Sequence, residues 1–121
     1  MVTMDLPAAV KNYQLGERAK TGLLNISQLS LALAGFSEQE RPGGRRMLLL
    51  MMETFRTELQ YAAQTTGHAE FKKAENALTD AISLVESNQP EQASTKIAMA
   101  ISAVTTPAQE AWQVLSDHGI F

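Results

Sequence analysis

The chain has 121 residues, 45% of them hydrophobic, no cysteine, and a formal net charge of −3 with a pI near 5.3. This length fits one domain able to build a core without metal or disulfide staples. The missing cysteines exclude disulfides, thiolate metal sites and a cysteine nucleophile, and the acidic balance offers no basic surface for nucleic acid or anionic lipid.

The N-terminal MVTMDLPAAVKNYQ lacks the basic start and apolar core of a secretory signal. No window approaches the roughly 20 apolar residues of a membrane helix, so the expected location is the cytoplasm. Apolar spacing is helical nearly everywhere. Leu15, Ala19, Gly22, Ile26, Leu29, Leu33 and Phe36 recur in steps of 4 and 3, one continuous helix face. Asp5 ahead of Leu6-Pro7 suits an N-cap, and Gly35 suits a stop. Gly16 and Gly22 each cost about 1 kcal/mol in a helix interior. Gly22 lies on the stripe itself, where it would let a neighbouring helix approach closely. The alternative is a helix break near Gly16.

Ser37-x-x-Glu40 has the form of a capping box. Pro42-Gly43-Gly44 would weaken a helix begun there, so the second helix is expected from about Gly44. Its stripe is Leu48, Met52, Phe55, Leu59 and Ala62, and Thr65-Thr66-Gly67 ends it. A third helix, His68 to Ser87, carries Phe71, Ala74, Leu78, Ala81, Ile82 and Val85 on one face. Asn88 suits a left-handed cap, and Pro90-Glu91 suits a new first turn. The last segment aligns Ala93, Ile97, Ile101, Val104, Ala108, Ala111 and Leu115. Pro107 removes one hydrogen bond and clashes with the carbonyl of Ala103, so a kinked or split helix is expected there. Ile120 and Phe121 could fold back on the bundle. No strand alternation of any length occurs. The expected fold is therefore all-α: a single domain, residues 1–121, forming an up-down four-helix bundle.

RRMLLLMMETF, residues 45–55, raises a separate question. Leu48 and Met52 belong to the core stripe, but Met47, Leu49, Leu50 and Met51 spread around the rest of the helix. The run spans only about 9 Å as a helix, far short of a bilayer core. A helix apolar on all sides is normally buried on all sides, whereas a bundle helix keeps one face in water. Leu23, Leu24 and Leu31 lie beside the first stripe, at the end that an antiparallel hairpin brings near the run. This surplus leads to an expected homodimer through the end of helix 1 and the start of helix 2, with Leu24, Leu31, Met47, Leu49, Leu50 and Met51 as interface residues. Two other readings of the same residues are a thick self-contained core and a groove for a client protein.

Catalytic constellations are sparse. His68 and His118 belong to neither Glu-x-x-His nor His-x-x-x-His, so a di-iron bundle lacks its ligands. Histidine phosphotransfer bundles carry their histidine mid-helix with Lys and Gly close behind, and His68 instead reads as a solvent-facing cap. Pro42-Gly43-Gly44 has no Lys-Ser/Thr after it and does not make a phosphate loop. Arg41, Arg45 and Arg46 read as solvated gatekeepers beside an apolar run. Residues 26–40 resemble a helix-turn-helix only faintly, with Leu31 where a small residue belongs and Glu38 and Glu40 facing phosphate. Trp112 reads as a core or interface anchor. No catalytic, cofactor-binding or metal residue is expected, and neither nucleic acid nor membrane is an expected partner. The leading expectation is a non-catalytic protein–protein interaction protein. The alternatives are a chaperone-like or adaptor module that binds a partner's amphipathic helix, and a ligand-binding bundle or enzyme, which would need polar residues on stripes that carry none.

Overall fold

A computed structural model describes residues 4–120. It contains four helices: α1 (Leu6–Leu33), α2 (Arg41–Thr66), α3 (Ala69–Glu86) and α4 (Pro90–Asp117). Each packs on its neighbour in sequence, α4 closes the ring against α1, and the diagonal pairs do not meet among the described residues. The result is the expected up-down four-helix bundle.

The helix ends follow local chemistry. Asp5 Oδ1 accepts the Ala8 N–H at 2.8 Å, capping α1. Gly67 ends α2 at φ 68°. Asn88 takes the left-handed conformation at φ 58°. Its N–H donates to the Val85 carbonyl, and the Gln89 N–H reaches the Leu84 carbonyl at 2.8 Å, a Schellman closure that turns the chain sharply into Pro90. α1 runs through Gly16 and Gly22 without a break.

One boundary differs from the sequence reading, and of the two forms expected for α4, kinked or split, the split one does not occur. α2 begins at Arg41, not near Gly44. The Ser37 capping box causes this: Glu40 N–H donates to Ser37 Oγ at 3.2 Å, and Ser37 N–H donates to Glu40 Oε1 at 3.3 Å. The chain is already turned when it reaches Pro42, whose missing N–H costs nothing in a first turn. α4 is not divided at Pro107, which sits fully buried inside one helical run.

Core stripes on α2, α3 and α4 match the spacing in sequence. Leu48, Met52, Leu59, Phe71, Leu78, Ile82, Ile97 and Val104 are all buried in the main cluster. α1 departs at its end, where Ser30 is buried and Leu29 is 42% exposed. Small residues meet in the α1–α4 seam: Ala9 and Gly16 on one side, Ala108 and Ala111 on the other. A β-carbon on Gly16 would stand 2.9 Å from that of Ala108, so the two backbones are in direct contact.

Unequal helix length positions what is left uncovered. α3 has 18 residues, α2 has 26, and α1 and α4 have 28 each. At 1.5 Å per residue α3 is roughly 12–15 Å too short to flank the others. At one end α1 and α4 therefore continue as a pair, with a satellite cluster of Ala9, Ala111 and Leu115. At the other end the start of α2 outruns α3 and rests on the end of α1, where Leu33 and Phe36 lie over Gly44.

Candidate functional site

The apolar run occupies that overhang. Leu48 and Met52 are buried, Leu49 and Met51 are half-buried, and Met47 and Leu50 are 66% and 60% exposed. Leu49 packs on the main cluster. At about 100° per residue, Leu50 projects nearly opposite the face defined by Leu48, Met52 and Leu59, with Met47 one turn away. Leu29 and Phe36, also partly exposed, share the flank of α1 that carries Gly22 and Leu33, both of which meet α2. Met47, Leu50, Leu29 and Phe36 thus collect at the α1–α2 end of the bundle.

Leu24 and Leu31, 44% and 67% exposed, lie elsewhere. They stand about 140° and 160° around α1 from Leu29. Their flank continues Tyr13 and Lys20, which line a cleft with Thr105, Gln109 and Trp112 of α4. The six residues expected to form one surface therefore divide between the start of α2, which carries Met47, Leu49, Leu50 and Met51, and the flank of α1 turned away from it, which carries Leu24 and Leu31. Leu23, counted with the same surplus, is completely buried. Ile120 stays about half exposed, and Phe121 lies outside the described residues. Trp112 is also partly exposed at the α1–α4 end rather than enclosed in the core.

Polar side chains inside the bundle were not legible in its stripes. His68 caps α3 as expected, but it is buried and does not face solvent. Its Nδ1 accepts the Glu70 N–H at 3.1 Å, and its Nε2 lies 3.0 Å from Glu110 Oε2. The acceptor role of Nδ1 places the proton on Nε2, which donates to the carboxylate. The ring also meets Phe71 edge-on, with centroids 6.2 Å apart. The signal that could have revealed this burial is Glu110, a partner 42 positions along the chain. Glu75 is buried with its carboxylate held by Lys72 at 3.1 Å. Asn12 is buried too: its Nδ2 donates to the Ala8 carbonyl at 2.8 Å, while its Oδ1 has no partner among the described residues.

A cavity of about 320 Å³ opens between α1 and α2. Leu15, Ala19, Leu23, Leu59 and Ala62 line it, Phe55 and Tyr61 flank it, and Arg18 and Glu58 stand at its edge. The Arg18 guanidinium donates to Glu58 Oε1 through both Nε and Nη2, at 3.0 and 2.5 Å. Among the described residues no group of three His, Asp or Glu side chains gathers as a metal site, and no helix is long and apolar enough to cross a membrane. No protein-family model, no curated protein and no solved structure matches the chain.

Proposed function

We propose that this protein is a non-catalytic helical interaction module that self-associates through the overhanging end of the α1–α2 hairpin. The observation carrying this reading is Leu50. It is a leucine on the solvent side of α2, 60% exposed, inside a run where Met47 is equally uncovered. Each such side chain forgoes part of the roughly 1.5–3 kcal/mol that full burial is worth, set against a total stability of about 5–15 kcal/mol. A second copy of the same surface supplies matching apolar area, and a two-fold arrangement lets one patch serve both partners. Met47, Leu50, Leu29 and Phe36 form the contact. Leu24 and Leu31 lie outside it.

The absence of native cysteine gives a direct test. In a two-fold contact centred on Leu50, the Leu50→Cys variant should form a disulfide-linked dimer under mild oxidation. Asp80→Cys, on exposed α3 surface, should stay monomeric. Equal cross-linking of both, or of neither, would contradict the proposed contact.

A further inference from the structure

We infer that the α1–α2 cavity is a binding site for a small apolar molecule with one hydrogen-bond-donating head, an ammonium above all. The cavity has a local cause. Toward one end of the bundle α1 and α2 are closed by large rings: Phe55 lies directly on Gly22, and Phe36 lies with Leu33 over Gly44. Beyond Phe55 the lining includes the small residues Ala19 on α1 and Ala62 on α2, and the Arg18–Glu58 pair spans the gap. Two alanines where larger side chains would close the seam leave a volume of about 320 Å³. That is roughly twice the ~150 Å³ cavity that takes benzene, which sets the ligand's body at two fused rings or a chain of similar bulk. An apolar lining with a few convergent polar groups is the usual make-up of a small-molecule site.

The edge of the cavity specifies the head. Arg18 uses only Oε1 of Glu58, so Oε2 has no partner among the described residues. The Glu58 side chain is 35% exposed, and that of Arg18 is 72% exposed. Arg18 can therefore swing into water at little cost, since exposed ion pairs are weak, while the carboxylate stays at the cavity mouth. An ammonium fits there. It can take up Glu58 Oε2 directly or replace Arg18, and the rings of Phe55 and Tyr61 on either side favour a cation. A carboxylate head would meet Glu58 as a like charge. This site is separate from the proposed self-association surface and does not depend on it.

The test uses three matched probes, 1-naphthylmethylamine, naphthalene and 1-naphthoate, titrated into the full chain at pH 7 and followed by amide shifts in NMR. The amine should perturb Leu15, Ala19, Leu23, Leu59 and Ala62, and should bind at least tenfold more tightly than the carboxylate. Glu58→Gln should cost the amine about tenfold and leave naphthalene unchanged. Arg18→Gln should strengthen amine binding several-fold by removing its competitor. Ala19→Leu, and independently Ala62→Leu from the opposite wall, should abolish binding of all three probes while the helical circular dichroism is retained. Equal affinity for amine and carboxylate, shifts mapping away from these residues, or binding that survives in a folded Ala62→Leu variant would overturn the inference.

Discussion

Phe55 lies so closely on Gly22 that a β-carbon there would stand 1.9 Å from its Cε1. The glycine is the slot that receives the ring and sets the spacing of α1 and α2. Gly22→Ala should therefore lose about 1–3 kcal/mol to overpacking, despite the ~1 kcal/mol that alanine gains in a helix. Removing the ring should reverse the sign. In a Phe55→Ala background, Gly22→Ala is expected to stabilise by up to about 1 kcal/mol. Urea unfolding of the two single variants and the double variant closes this cycle; the same sign in both backgrounds would show that the ring is not what requires the glycine.

A second pair of glycines separates helix propensity from packing. Nothing lies within 4 Å of a β-carbon built on Gly43, whereas one on Gly16 meets the Ala108 β-carbon at 2.9 Å and its Cα at 3.3 Å. Those neighbours belong to another helix backbone and cannot rotate aside. Gly43→Ala should raise stability by about 0.5–1 kcal/mol. Gly16→Ala should lower it or leave it level, and Gly16→Leu should lower it by several kcal/mol as α1 and α4 are forced apart. Denaturant midpoints distinguish the three.

His68 links two helices that the chain separates by 42 positions. Its ring caps α3 through Glu70 N–H and reaches Glu110 on α4. His68→Ala should cost about 2 kcal/mol, combining a lost cap with a lost hydrogen bond to a charged group. His68→Asn keeps the cap but not the reach, and should recover about 1 kcal/mol. The ring nitrogen shifts should report the Nε2–H tautomer; an Nδ1–H ring would contradict the assigned capping role.

Asn12 presents the opposite case, a buried acceptor with no partner among the described residues. Leaving such a group unpaired costs about 1–3 kcal/mol. Asn12→Leu, close in volume and wholly apolar, should therefore stabilise by about 1 kcal/mol and raise Tm by a few degrees. A loss of stability would mean that the Oδ1 of Asn12 is satisfied in solution.

These cases show what a linear reading reaches. Capping and periodicity act within a few residues, so Asp5, the Ser37–Glu40 box, Gly67, Asn88 and the stripes on α2, α3 and α4 were all visible. So was Gly22, because a glycine on a core stripe has few other uses. The box at Ser37 is legible in the sequence, but its power to carry the helix through Pro42-Gly43-Gly44 is not, and α2 starts three residues before the expected Gly44. What depended on distant partners stayed hidden. Ser30 is buried where Leu29 continued the stripe. The burial of His68 required Glu110, and the cavity required Ala19 of α1 and Ala62 of α2 to line the same gap. The apolar surplus is visible in the sequence, but the separation of Leu24 and Leu31 from the α2 run follows only from which side of α1 each neighbour occupies.

Self-association through Met47 and Leu50 is tested most directly by sedimentation equilibrium over a range extending to high protein concentration. The native chain should approach twice its 13.2 kDa mass, and the Met47→Glu/Leu50→Glu double variant should remain at 13.2 kDa with unchanged helical circular dichroism. A native protein that stays at 13.2 kDa throughout, or a double variant that associates as the native chain does, would contradict the proposed interface.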